Sequence, residues 1–147
     1  MDKTCYKLPI HLEALLGANG EEPTMCTELE SIDQHIELLL TTCPGEHKFN
    51  KNYGCHIWDM DFERVVSREK WENDFKRHIK EAVTKFEPRL KDVIVTIHIE
   101  EVAREDKLMK TTAIKKKVTV LVNSLIVSTN NRCEFKYALY LGPLAAE

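Results

Sequence analysis

The segment from Ser67 to Glu101 leaves few folds open. SREKWENDFKRHIKEAVTKFEPRLKDVIVTIHIEE reads as one long helix, a hard stop and a strand. Trp71, Phe75, Ile79, Ala82, Val83 and Phe86 recur at spacings of three and four, which lays one apolar stripe along a helix. Ser67 is its N-cap, with a hydroxyl able to accept a free first-turn N–H. Pro88 pushes Glu87 away from helical dihedrals, so the helix ends near Phe86. Val93, Val95, Ile97 and Ile99 then alternate, which is strand spacing.

The junction Glu87-Pro88-Arg89 is the odd part. A carboxylate at a helix C-terminus faces the negative pole of the macrodipole. On physics alone the pair reads first as a surface Glu and Arg, worth ~0–1 kcal/mol. A local rule broken without local gain is also a reason to look for a partner.

A chain of 147 residues suits one domain, residues 1–147, with an N-terminal arm over 1–30. The arm alternates Tyr6, Leu8, Ile10 and Leu12 around Pro9, and Leu12 to Leu16 turns into a short helix. Residues 17–30 read as loop. Ser31 and Gln34 form a capping box that starts a helix, and Ile32, Ile36, Leu39 and Leu40 form its stripe to about Thr42. Cys43-Pro44-Gly45-Glu46 stops it. Residues 43–66 pack as irregular structure with a short helical turn. After the long helix and first strand, residues 103–114 read as a charged connection. A second strand opens at Lys115-Lys116-Lys117 and continues through Val118, Val120, Val122 and Leu125-Ile126-Val127. A turn at Thr129-Asn130-Asn131-Arg132 leads to a third strand with Phe135, Tyr137, Leu139 and Leu141, then a tail at Gly142-Pro143. Helices first and antiparallel strands later predict an α+β fold: two main helices on a small, mainly antiparallel sheet of three to four strands.

Several chemistries are weighed and set aside. The net charge of −3 gives no electrostatic footprint for nucleic acid. No apolar run approaches the ~20 residues of a membrane span, and the N-terminus lacks a secretory apolar region, so the cytoplasm is the expected compartment. Cys5, Cys26, Cys43, Cys55 and Cys133 are odd in number and scattered, which fits reduced thiols. Cys43, His47, Cys55 and His56 do not have zinc-finger spacing, and Cys55-His56 adjacency suits neither a metal nor a Cys–His nucleophile. Asp59, Asp61 and Glu63 with Glu87 lack the sugar-binding surroundings of a glycosidase pair. There is no phosphate-binding glycine loop. Lys107 to Lys110 and Lys115 to Lys117 are small basic spots of the kind that guard strand edges. No cofactor, metal or catalytic residue is expected. The remaining route is binding, with an exposed sheet edge able to accept a strand from another chain.

Specific motifs carry a resemblance. Ser31-Ile32 through Leu38-Leu39-Leu40-Thr41-Thr42, Pro44-Gly45-Glu46, Tyr53-Gly54, Trp58 to Phe62-Glu63 and the helix ending in Glu87-Pro88-Arg89 fall in one order. Together they resemble the GPW/gene-25-product family of phage tail baseplate proteins, and within it the TssE-like branch of type VI secretion systems. Lys7-Leu8-Pro9-Ile10 is similar to the variant found in Bacteroidetes. The resemblance implies a structural, non-enzymatic part of a contractile injection machine. It implies contacts to other wedge subunits (TssF-like, TssG-like and TssK-like) and to the first sheath ring, in a baseplate docked at the inner membrane from the cytoplasmic side. It also implies partner-binding roles for Glu87, Pro88, Arg89, Tyr53 and Gly54. On that reading Glu87→Ala or Arg89→Ala leaves the domain folded and stops assembly. A regulatory adaptor using the same fold and a lysozyme-like hydrolase are the alternatives.

Overall fold

We describe residues 2–17, 20, 22–60, 67–106 and 111–141 of a computed structural model. The long helix, α3, spans Arg68–Phe86, with Ser67 as N-cap accepting from the Lys70 N–H at 3.4 Å. Its predicted stripe is the buried one: Trp71, Phe75, Ile79, Ala82 and Val83. Glu87, at φ −118 and ψ 83, leaves the helix where the proline rule places the stop.

Strand β3 runs Leu90–Asp106, β4 Thr111–Ile126 and β5 Arg132–Leu141. They form one antiparallel sheet in the order β3-β4-β5. Inward residues alternate as expected. Val118, Val120 and Val122 on the central strand are fully buried, and Phe135, Leu139 and Leu141 are buried on β5. The alternation on β3 is set by an irregularity. Lys91 faces Leu125 and Ile94 faces Asn123, so two residues oppose one. Asp92 absorbs this bulge at φ 53, and the bulge turns Val93 into the core. Asn130, at φ 56, makes the β4–β5 turn, where its N–H bonds Ile126 O at 2.7 Å.

Helix α2 spans Glu28–Thr41 and buries Ile32, Ile36, Leu39 and Leu40. Its start corrects the expectation at Ser31. The capping box is Thr27 and Glu30, one turn earlier: Thr27 Oγ1 accepts from Glu30 N–H and the Glu30 carboxylate accepts from Thr27 N–H at 2.8 Å. Both sites satisfy the same four-residue pattern, and the earlier one adds a full turn of helix. Residues 17–30 are therefore not all loop. Cys5–Tyr6 (β1) and Met25–Cys26 (β2) form a second, two-stranded antiparallel sheet, with Leu12–Leu16 (α1) between them in sequence.

The connection 43–60 carries one short 3₁₀ turn, His56–Asp59. It is fastened to α2 by Trp58 Nε1–H donating to Leu40 O at 2.8 Å. Residues 103–106 and 111–114 are strand, not connection: charged and apolar residues alternate weakly there, and cross-strand pairing decides the outcome. Asp61–Val66, Lys107–Lys110 and Gly142-Pro143 lie outside the described residues. Tyr137 O–H of β5 donates to the Asp33 carboxylate of α2 at 2.6 Å, and Ser128 Oγ–H donates to the Glu28 carboxylate at 2.6 Å. These bonds hold α2 to the β5 side of the sheet, while α3 packs on β3.

Candidate functional site

The corner Glu87-Pro88-Arg89 lies where α3 hands over to β3. Ser31 and His35 sit four residues apart on α2, so both project toward it. Glu87 is 1% exposed. Its Oε1 accepts Arg89 Nε–H at 2.8 Å and the Arg89 backbone N–H at 3.2 Å. Its Oε2 accepts Arg89 Nη2–H at 2.9 Å and His35 Nδ1–H at 2.6 Å. Arg89 Nη1–H reaches Ser31 Oγ at 2.9 Å. The Arg89 carbonyl accepts from the Val127 N–H at 2.9 Å, which ties the corner to the far end of β4.

Burial alone would raise the Glu87 pKa. The hydrogen bonds from Arg89 and His35 and the Arg89 charge overcome it and hold the carboxyl at about 2. Arg89 is shifted upward chiefly by the same hydrogen bonds. At neutral pH the corner is a closed ion pair, ionised and fully engaged on the carboxylate side.

This answers the anomaly at the junction differently from the sequence. Glu87 is not a surface residue, and its partners come from its own chain. The polar residue at Ser31, which pattern reading spent on a helix cap, binds Arg89 instead. His35 was missed altogether. Its signal was present: a histidine one turn from Ser31, beside the stripe of Ile32 and Ile36.

Tyr53 lies against the His35 side of the corner. Its ring stacks on His35 at 5.9 Å and meets Phe86 edge-on at 5.1 Å. The Tyr53 hydroxyl is buried with no hydrogen-bond partner among the described residues. Burial, and then the Glu87 charge, push its pKa upward. Gly54, at φ +135, has a backbone role: a Cβ there would lie 2.7 Å from Thr42 O, 2.8 Å from Pro44 N and 2.9 Å from Cys43 C. Only glycine fits that approach. Pro88 is exposed, and the Arg89 side chain is 32% exposed. Of the five predicted contact residues, then, Pro88, Arg89 and in part Tyr53 offer surface, whereas Glu87 and Gly54 are buried.

The other constellation separates. Cys55 is buried and its thiol is pushed up to about 11 by burial, so it is held as the unreactive thiol. His56 turns outward and pairs with Asp59 at 2.7 Å. Among the described residues no group of three or more His, Cys, Asp or Glu is placed to hold a metal ion. No helix of the described residues is long and apolar enough to cross a membrane.

Two helices on one face of a three-stranded antiparallel sheet, with a charged corner between them whose carboxylate is buried, define a small α+β domain built around a structural ion pair. The chain belongs to the baseplate wedge protein gp25 family, whose model matches residues 26–130, and that family serves as a structural component of the baseplate. The fold is similar to the crystal structure described as a "putative tail lysozyme" from Geobacter sulfurreducens. The two are 22% identical with a TM-score of 0.60, over 83% of this chain and 98% of that one. A chain of the baseplate complex from the type VI secretion system is 15% identical, with a TM-score of 0.44 over 76% of this chain and 91% of that one. Among curated proteins, none matches this chain in sequence.

Proposed function

We propose that this chain is a scaffold subunit of a type VI secretion baseplate or phage-like tail, linking wedge subunits of the TssF, TssG and TssK kinds to the first sheath ring. Membership of the wedge family over residues 26–130 carries the reading. It works in the cytoplasm within a baseplate docked at the inner membrane, and the sheet edges β3 and β5 receive strands from sheath subunits.

The Glu-Pro-Arg corner is the wedge contact in this reading. Pro88 and the exposed part of Arg89 meet the partner. Glu87, Tyr53 and Gly54 support this contact: the carboxylate fixes the guanidinium, the ring stacks on His35, and the glycine lets the loop close. A pre-positioned arginine loses little rotamer freedom on binding, which favours affinity.

Hydrolysis is the weaker reading. A glycosidase acid must be protonated at working pH. Glu87, held at about 2 with both oxygens occupied, does not meet that requirement.

The test is affinity capture of tagged protein from the native host with mass spectrometry, comparing wild type and Pro88→Asp. Recovery of baseplate and sheath proteins by wild type, reduced in a variant of unchanged melting temperature, supports the scaffold. Recovery of one unrelated regulator favours the adaptor. Release of soluble fragments from peptidoglycan by the purified chain would restore the hydrolase.

A further inference from the structure

The two-stranded sheet at the N-terminus sets two cysteines face to face. Cys5 of β1 pairs directly with Cys26 of β2 in the antiparallel register. Two residues along, Lys7 N–H donates to Thr24 O at 2.9 Å. Pairing types alternate along such a ladder, so Cys5 and Cys26 occupy the same hydrogen-bonded type of site as Lys7 and Thr24. Cα atoms at that site are ~5.5 Å apart, within the span a disulfide bridges, and the Cβ atoms, ~5 Å apart, close by about 1 Å when the bond forms. Directly opposed side chains leave the same face of the pair. In this structure both are free thiols.

We propose that Cys5 and Cys26 are a modification site, a vicinal thiol pair across two strands that a low-molecular-weight disulfide converts to a reversible cross-strand disulfide. Access sets the order of events. Cys26 is 2% exposed, whereas Cys5 is partly open to solvent. The Cys5 thiolate attacks the small disulfide, forms a mixed disulfide and expels one thiolate. Cys26 then loses its proton to solvent and attacks Cys5 Sγ, expelling the second thiolate. One disulfide is consumed, two small thiols are released, and two protein thiols become one disulfide. Burial raises the Cys26 pKa, so the closing step quickens as pH rises.

The linkage has a structural target. Cys26 immediately precedes the Thr27 cap of α2, and the Leu8 N–H already bonds Gln34 Oε1 of α2 at 3.0 Å. Closing the bond converts this light attachment of the N-terminal residues into a covalent one. It sits beside the corner, since Arg89 is within electrostatic reach of both cysteines. The remaining thiols have other settings: Cys55 is sealed in the core, Cys133 contacts Ser124 Oγ at 3.3 Å across β4 and β5, and the partly exposed Cys43 thiol is pushed up by burial and then by the Glu46 charge.

The experiment exposes the folded chain to oxidised glutathione at neutral pH, then measures intact mass and maps peptides without reduction. The expected result is a Cys5–Cys26 linked peptide pair, formed roughly tenfold faster than in urea because the fold aligns the thiols. Oxidation should also raise the melting temperature by roughly 5–10 °C, reversibly, because the link closes a loop in the unfolded chain. Cys5→Ser should show no such rise. A stable glutathione adduct on Cys5 with Cys26 free, a Cys5 link to any other cysteine or chain, no reaction, or equal rates in urea would each overturn the proposal.

Discussion

Arg89 grips Glu87 across a single exposed proline, with Nε on one carboxylate oxygen at 2.8 Å and Nη2 on the other at 2.9 Å. The residues are two apart in sequence, so the backbone turn at Pro88 sets the geometry of the pair. Because the carboxylate is buried and the guanidinium reaches Ser31, the pair fastens α2 to the α3–β3 junction. The same pair that the sequence read as surface decoration or partner contact thus contributes to folding first.

Glu87→Gln should therefore destabilise the isolated chain. Removing one member of a buried pair typically costs about 3–5 kcal/mol. The partial exposure of Arg89 lowers the expectation to about 2–4 kcal/mol. Urea unfolding at pH 7 measures it. A variant as stable as wild type would return Glu87 to a pure contact role.

Acid should unfold the chain through the same group. The Glu87 carboxyl sits at about 2 when folded and at 4.5 as its reference value. A depressed folded pKa means that ionised Glu87 favours the fold. Its contribution is fully present above about pH 4.5 and is lost as pH falls toward 2. The gap corresponds to about 3 kcal/mol. Urea midpoints between pH 5 and pH 2.5 should fall more steeply for wild type than for Glu87→Gln.

Arg89→Lys should behave as a loss, not a conservative change. Lysine keeps the charge but cannot place two donors on Glu87 and a third on Ser31. We expect a loss of about 1–2 kcal/mol, with the His35–Glu87 contact retained. The imidazole resonances of His35, followed by NMR against pH, report whether that contact survives.

Two glycines of the α2–3₁₀ connection should respond differently to alanine. Gly54→Ala drives a methyl into backbone atoms of Thr42, Cys43 and Pro44 at a φ of +135 and should lower stability by about 3 kcal/mol or more. Gly45 also has positive φ, at +95, but open space around the added Cβ, so Gly45→Ala should cost about 1 kcal/mol. Melting temperatures of the two variants, side by side, decide it.

Thr27→Ala and Ser31→Ala separate cap from clamp. Thr27→Ala should cost about 1 kcal/mol and speed amide exchange at Glu30, whose N–H the threonine accepts. Ser31→Ala should leave that exchange unchanged and loosen Arg89 instead. Faster exchange at Glu30 in Ser31→Ala would show that the serine supports the helix start.

The legible parts of this chain were those governed by repetition. Helix α3, its Ser67 cap and its end at Phe86 followed from apolar spacing and one proline. The inward faces of β3, β4 and β5 followed from alternation. Boundaries set by competition were not legible. Thr27 and Ser31 each begin a workable capping box, and the winner is the one that frees Ser31 to meet a residue 58 positions away. The strand ends beyond Glu101 lack strong alternation, and pairing with the opposite strand extends them to Asp106 and back from Thr111. The corner was half legible. A carboxylate and a guanidinium around a proline drew attention, but burial, His35 and the Tyr53 ring stacked on it depend on where a separate helix and loop pack.

The unequal strand lengths have a mechanical consequence. Among the described residues β5 ends opposite Lys116, while β3 and β4 stay paired from Glu101 and Lys116 out to Asp106 and Thr111. Those five further rungs, at ~3.3 Å each, make a two-stranded run about 16–17 Å long beyond the last described pair of β5. A force on this run is passed through its backbone hydrogen bonds, back to the Asp92 bulge and the clamp beside it. The stiffness of this two-stranded run under load is set at its root, where it meets the third strand.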